Sequence, residues 1–433
     1  MNARFLARMR KLLGEDYEAY EASLSKEPYR GIRINTLRSD NHPVEGLTLG
    51  PSLFASNGWY VTTDEKIGGR TEYLTGLIYS QEPSASFAVT AMGIEPGMKI
   101  LDLCAAPGSK STEIAEQLSH TGLLVANEIV PKRAKILAEN IERHGCANVI
   151  ITSGSPSELA DAFPEYFDAV LCDAPCSGEG MFRRNPEAEL EWSEAHVESC
   201  AIRQNLILQD AVRLVRPGGV LVYSTCTFSR EENEANVEQL LSEYPCLNLE
   251  EIPAAGGRSG LDPDHLTRRI YPMDGGEGHF VARFRKADGA SSGYTPSIMK
   301  SDPIPKEAIA FLEEHLERPY PYLFLNRDTL YGGTVPFISC SGVHLIRHQV
   351  LLGTMRHNRF EPSHAMAMSA YAPFKPTIEL TKEEFERYRR GETIRKTAPK
   401  GWAAVTVDGA AAGLVKSDGQ LLKNHYPKAF RIR

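Results

Sequence analysis

Short apolar runs and longer stretches of helical period alternate through the middle of the chain. Lys99-Ile-Leu-Asp-Leu103, Leu123-Leu-Val-Ala126, Val149-Ile-Ile151, Ala169-Val-Leu171 and Val220-Leu-Val-Tyr223 lack a clean polar face and read as buried strands. Between them, Ser109–Leu118, Pro131–His144 and Ile202–Val215 carry apolar residues at helical spacing, the second opened by its proline. Repeated strand–helix units predict an α/β fold with a mostly parallel, doubly wound sheet. A hairpin-like ending follows at Arg268–Tyr271 and His279–Phe284. Upstream, Phe5, Leu6, Met9, Leu12 and Leu13 lie among Arg4, Arg8, Arg10 and Lys11 on a predicted helix. Ile32, Ile34 and Thr36 then alternate with Arg33 and Asn35 as in a half-buried strand, whose charges read either as a solvated face or as a basic contact surface. Gly68-Gly69 marks a boundary near residue 75. Downstream, the Gly- and Ser-rich stretch Ala287–Tyr294 reads as a linker. Beyond it come a helix near Lys306–Leu316 and short strands at Thr329–Tyr331 and Val343–Ile346. From Pro376 a small β-rich module follows, with strands at Trp402–Val407 and Ala412–Val415.

At 433 residues the chain exceeds one core, so about two to four domains are expected. No apolar run is long enough to span a bilayer, and the basic first ten residues lack the apolar core of a secretory signal. The cytoplasm is therefore the expected compartment. The eight cysteines form neither a Cys-x-x-Cys framework nor a zinc-spaced Cys/His cluster, so reduced thiols and no metal are expected. A formal net charge of −8 argues against a uniformly cationic nucleic-acid coat but leaves room for local basic faces. The terminal module concentrates Arg387, Arg389, Arg390, Arg395, Lys396, Lys400, Lys416, Lys423, Lys428, Arg431 and Arg433. That charge reads either as solubilising or as a nucleic-acid surface.

The candidate chemistry sits where apolar runs stop. Phe167–Cys172 ends at Asp173-Ala-Pro-Cys-Ser-Gly-Glu-Gly180, which would place Asp173 and Cys176 beyond the carboxyl end of a strand. Pro175 stiffens that loop and Gly178 and Gly180 loosen it. A second thiol, Cys226, follows the strand Val220–Tyr223 in the turn Ser224-Thr-Cys-Thr227, ahead of Ser229 and Glu232 at capping-box spacing. Taken singly, each cysteine is equally well a buried thiol. The first strand–helix turn, Cys104-Ala-Ala-Pro-Gly-Ser-Lys110, lacks the glycines of a dinucleotide loop and of a Walker loop. It leaves a small-residue approach to a helix N-terminus, which suits a carboxylate, and Glu128 at the end of the next strand suits a ribose. S-adenosylmethionine and a generic nucleotide both satisfy that spacing.

These three segments, in this order, resemble the RNA cytosine-5 methyltransferases of the Nol/Nop/Sun family. Arg33-Ile-Asn-Thr-Leu37, Gln81-Glu-Pro-Ser84 and the basic β-rich tail are most similar to its 16S ribosomal RNA branch. The resemblance implies a ferredoxin-like RNA-binding extension over 1–75, a Rossmann-like S-adenosylmethionine-dependent methyltransferase core over 76–286, a linker and small domain over 287–375, and a PUA-like RNA-binding module over 376–433. It implies a monomer acting on RNA, either 16S rRNA near the decoding region or the small ribosomal subunit, with no membrane partner. Cys226 matches the nucleophile, Cys176 the cysteine that assists release, and Asp173 the contact to the base edge, while Lys110 is assigned to the local potential. The cofactor would lie against Cys104, Ala105, Ala106, Pro107, Gly108, Ser109, Lys110, Glu128 and Asp173. One departure stands out: Ser153-Gly-Ser-Pro-Ser157 offers hydroxyls where relatives often place an acid near adenine. Three rivals remain: a DNA cytosine-5 methyltransferase with its nucleophile at Pro175-Cys176, a tRNA or multi-substrate enzyme, and a ribosome-assembly factor with incidental methylation.

Overall fold

The computed structural model describes residues 1–62 and 66–432; Arg433, counted above among the terminal cations, lies outside the described residues. The chain opens with helices Ala3–Leu13 and Tyr17–Leu24. A four-stranded antiparallel sheet follows, built from β1 (Gly31–Ile34), β2 (Thr48–Pro51), β3 (Gly58–Val61) and β4 (Ile78–Gln81) in the order β2-β3-β1-β4. That order is the ferredoxin-like one, but no helix connects β1 to β2 among the described residues. Because β4 pairs along all of β1, this sheet also runs past the boundary expected near residue 75.

Five parallel strands form the centre: β5 (Lys99–Asp102), β6 (Leu123–Asn127), β7 (Val149–Ser153), β8 (Phe167–Asp173) and β9 (Val215–Thr225). Downstream come β10 (Leu247–Glu250), β11 (Arg258–Ser259), β12 (Arg268–Ile270) and β13 (His279–Lys286), with β13 antiparallel beside β9. The central order is β9-β8-β5-β6-β7, so the chain turns one way after β5 and the other way into β8. The carboxyl ends of β5 and β8 flank the crevice where open α/β sheets bind ligands. Both faces are covered. Leu101, Val125, Ile150, Val170 and Leu221 pack with Phe163, Leu208 and Val212, while Ile100, Leu124, Ile151, Leu171 and Val222 pack with Ile114, Leu137 and Ile141. Burial on two sides explains the unbroken apolar runs.

A second antiparallel sheet contains β14 (Tyr322–Asn326) and β15 (Thr329–Gly333). The strand β16 (His344–His348) leaves this region and pairs antiparallel with β7, so the segment expected as a separate small domain completes one edge of the central sheet. The sheet resumes with β17 (Val350–Arg356) and β18 (Arg359–Pro362). The terminal module joins β19 (Thr377–Glu379), β20 (Ile394–Arg395), β21 (Gly401–Val407), β22 (Ala410–Ser417) and β23 (Leu421–Asn424) in one five-stranded sheet around Phe385, Tyr388, Val405 and Val415. Its Ala404 and Leu414 also pack into the cluster of the preceding segment, so the two share a core.

The half-buried strand over 32–36 is revised. The strand ends at Ile34, Thr36 is exposed in the following turn, and Arg33 is 1% exposed and Asn35 fully buried, so neither of these two belongs to a solvated or basic outer face. Helix Ser109–Leu118 covers that side. Arg33 Nη1 meets Glu116 Oε1 at 2.7 Å, and its Nη2 donates to Ser109 O (3.0 Å) and Thr112 Oγ1 (2.7 Å). The Asn35 amide donates to Gly76 O and His144 O. Arg33 locks the N-terminal sheet onto the helix that follows β5, and Asn35 ties it to the end of helix Pro131–His144.

Candidate active site

The loop after β5 runs through Cys104–Gly108 into helix Ser109–Leu118. Gly108 adopts φ +114°, a left-handed value that favours glycine, and a Cβ there would stand 3.0 Å from Leu137 Cδ1 of the next helix. Around the turn lies a cavity of about 910 Å³, lined by Cys104, Ala105, Ala106, Pro107, Ser109 and Lys110 on one side and by Asp173, Cys226 and His279 on the other. Tyr79, Ser80, Gln81 and Glu82 from β4 and its exit form a further wall. The N-terminal sheet is therefore part of the site.

Asp173 ends β8 at the crevice. Lys110 Nζ lies 2.8 Å from its Oδ2, Ser224 Oγ donates to its Oδ1 at 2.7 Å, and His279 Nε2 stands 3.9 Å away. Burial pushes the Asp173 carboxyl up, but the Lys110 ammonium and the Ser224 hydroxyl outweigh it and hold the carboxyl below its usual range. Asp173 is therefore ionised, and Lys110 is its counter-ion. Burial and Lys110 together depress the His279 imidazole to about 4, so that ring is neutral.

The two thiols converge. Cys176 Sγ lies 3.2 Å from Cys226 Sγ, and the Cys226 N–H points to Cys176 sulfur at 3.4 Å. The contact with Cys226, then burial, raises the Cys176 thiol, so Cys176 holds its proton; either sulfur can be the donor across the contact. Two buried carboxylates fix this approach. Glu179, in the Cys176 loop, accepts from Thr227 Oγ1 and the Phe228 N–H of the other loop, both at 2.9 Å. Glu232, beyond Cys226, accepts from the Ser177 N–H (2.9 Å) and Ser177 Oγ (2.5 Å). Gly180 completes the junction: its N–H donates to Cys226 O, and a Cβ there would stand 2.9 Å from Gly278. The Ser229–Glu232 pair expected to open a helix bonds as predicted, but it sits in the turn before helix Glu234–Glu243 and serves this clamp.

Sequence reasoning did not single out Asp102, Glu179 or His279. Asp102 carried a signal, an acid inside the apolar run 99–103. It is 1% exposed, accepts from Ser111 Oγ at 2.6 Å through one oxygen, and leaves the other buried and unpartnered; burial lifts its carboxyl to about 7. Such an atom at a cavity wall calls for a donor or cation. The ammonium and carboxylate of S-adenosylmethionine match this wall and the helix N-terminus beside it. Glu128 is buried at the end of β6, its carboxylate accepting from the Val130 N–H and lying 3.2 Å from Arg133 Nη1. Within Ser153–Ser157, Ser155 caps helix Pro156–Ala162, and both its N–H and its hydroxyl donate to Glu158, the acid of that capping box.

A doubly wound sheet with this cavity at its switch point defines an S-adenosylmethionine-dependent methyltransferase of Rossmann-like fold. The chain is 33% identical to ribosomal RNA small subunit methyltransferase F of Klebsiella pneumoniae (strain 342) over 98% of its own length and 95% of that protein's. It is 32% identical to the protein of that name from Shewanella piezotolerans, over 96% and 93%. The chain belongs to the ribosomal RNA small subunit methyltransferase F family. Family models agree: 16S rRNA methyltransferase RsmB/F matches residues 89–285, the RsmF N-terminal domain 1–83, the RsmF first C-terminal domain 310–369 and the RsmF PUA domain 375–432. Among solved structures, a methyltransferase homolog from Pyrococcus horikoshii is 28% identical with a TM-score of 0.59, over 66% of this chain and 95% of that one. NSun6 from the same organism, 23% identical with a TM-score of 0.55 over 66% and 99%, shares the fold. No helix among the described residues is long and apolar enough to cross a membrane.

Proposed function

We propose that the enzyme methylates C5 of a cytosine in 16S ribosomal RNA, near the decoding region, through a covalent bond between Cys226 and C6 of the base. The observation that carries this reading is the pair of thiols 3.2 Å apart beside an ionised Asp173. Cytosine C5 is a poor nucleophile. Addition of the Cys226 thiolate to C6 pushes electron density onto C5 and makes it enamine-like. Asp173 accepts a hydrogen bond from the exocyclic amine and orients the base, and the Lys110 ammonium beside it offsets the negative charge that thiolate addition places on N3 and O2. Lys110 keeps that carboxylate ionised and oriented. S-adenosylmethionine, held by Asp102 and the turn 104–110, supplies an electrophilic methyl group to C5. A solvent water then takes the C5 proton, the C5–H electrons form the C5–C6 double bond, and the C6–S electrons return to sulfur as Cys226 leaves as thiolate. Cys176, protonated and in contact with that sulfur, assists the release.

A base attacked from one face and methylated from the other must leave its stack, and a cavity of about 910 Å³ has room for a nucleotide beside a cofactor. The terminal module supplies a surface for the rest of the RNA. Arg390, Arg395, Lys400, Lys416 and Lys423 are exposed there. Lys416 and Lys423 stand directly opposite each other across β22 and β23, a repulsive pairing that a bound phosphate would offset. Bisulfite sequencing of ribosomal and transfer RNA, from cells with and without the protein, tests the substrate. A protected cytosine in 16S rRNA lost with the gene is the expected result; a loss confined to tRNA, or none at all, contradicts it.

A further inference from the structure

A second cavity, of about 220 Å³, lies where three regions meet: helix Pro131–His144 of the core, helix His364–Met368, and the terminal module. Arg143, His364 and Arg389 line it, with Tyr426 and Phe430 as aromatic walls. Each of the three basic side chains leaves one buried nitrogen without a partner: Arg143 Nη2, His364 Nε2 and Arg389 Nε. Buried polar groups in folded proteins are almost always hydrogen-bonded, and orphaned guanidinium nitrogens from two separate elements around one cavity mark a missing acceptor, while His364 Nε2 becomes a third donor only as imidazolium, because its Nδ1 already donates to Glu142.

The nearby acids do not fill that role. Glu142 is engaged by His364 Nδ1 at 2.7 Å and by Arg347 Nη1 at 2.6 Å. Glu386 takes Arg389 Nη1 at 2.9 Å. Glu139 also lines the cavity but is exposed, and burial and Glu142 push its carboxyl toward the neutral form against the weaker pull of Arg143. The Arg143 guanidinium lies over the Tyr73 ring, 4.2 Å from its centroid, which fixes its plane.

We propose that this seam is a binding site for a phosphate group. A tetrahedral oxyanion presents several acceptors in different directions, which suits donors arriving from separate elements, and an arginine fork is well matched to it. Its source is either a backbone phosphate of a bound RNA or free inorganic phosphate. The site is distinct from the cofactor cavity, although both rest on one helix: Asn140 lines the first and Arg143 the second. It does not depend on which base receives the methyl group.

The test uses the full-length protein and two variants, Arg143→Gln and Arg389→Lys. Thermal melting in sodium phosphate is compared with sodium chloride at matched ionic strength, and binding of an rRNA fragment is measured across a salt series. If the site takes free phosphate, about 10 mM raises the wild-type Tm by about 2 °C or more over chloride, and Arg143→Gln abolishes the gain. If RNA supplies the group, Arg143→Gln weakens RNA binding about 3- to 10-fold and lowers the salt slope by about one. Arg389→Lys keeps the charge but loses the fork and gives a partial loss in either arm. Absence of any phosphate-specific stabilisation of the wild-type protein, with an unchanged salt slope in both variants, overturns the proposal.

Discussion

Asp173 is useful here only as an anion, and the groups around it keep it one: Lys110 at 2.8 Å and Ser224 at 2.7 Å outweigh its burial. Asp173→Asn preserves shape and removes the charge. It should lower kcat by about 10²–10³-fold, the loss typical of one electrostatic donor or acceptor at a transition state, while cofactor affinity stays within about threefold. A calorimetric titration with S-adenosylhomocysteine beside single-turnover methylation checks this, and an equal loss in both would make Asp173 a cofactor residue instead. At this scale much was legible. Asp173 and Cys226 were readable because each follows an apolar run at the end of a parallel strand, where the fold itself directs side chains into the crevice, and Cys176, in the loop after Asp173, meets the Cys226 sulfur. Arg33 was not. Period-two alternation says which side chains share a face, not what covers the face, and the acid that covers Arg33 stands 83 positions further on.

That buried cluster is also where two elements, β1 and helix Ser109–Leu118, are coupled to pH. One guanidinium faces two carboxylates, and burial lifts both Glu113 and Glu116 to about 7 despite Arg33. The folded protein therefore retains a proton that the unfolded chain releases near 4.5. Stability from this source is fully present below about 4.5 and is lost as pH rises through about 7. Glu113→Gln removes the ionisation with little change of shape, so its advantage over wild type should grow between pH 5 and pH 8, by on the order of 1–3 kcal/mol. Urea denaturation at both pH values measures it, and a difference independent of pH contradicts the assignment. Element boundaries were less legible than elements. The helix expected from Ile202 begins at Glu194, because its first two turns are largely polar and only Ser193, which caps the His196 N–H, announces the start.

The molecule as a whole is less divisible than its sequence suggests. The edge strand β16 completes the central sheet from a distant segment, and Ala404 and Leu414 of the terminal module pack into the cluster beside it. Neither fact is visible locally, since both are pairings between short segments far apart in the chain. Removing the terminal module would bare that cluster, so its RNA contribution is better read from surface substitutions. Arg395→Gln with Lys423→Gln should weaken RNA binding uniformly across sequences and reduce the salt slope by about two, with cofactor affinity unchanged. Filter binding over a salt series decides this; an unchanged slope would leave the basic face as solubilising charge. The bond between sulfur and pyrimidine is the step on which every other role in the site depends. Incubating the wild-type, Cys226→Ser and Cys176→Ser proteins with cofactor and a 5-fluorocytidine-substituted rRNA fragment, then mapping any RNA-linked peptide by mass spectrometry, tests it directly. The prediction is a crosslink at Cys226 in the wild-type and Cys176→Ser proteins and none in Cys226→Ser; a crosslink at Cys176, or no crosslink in the wild-type protein, would contradict it.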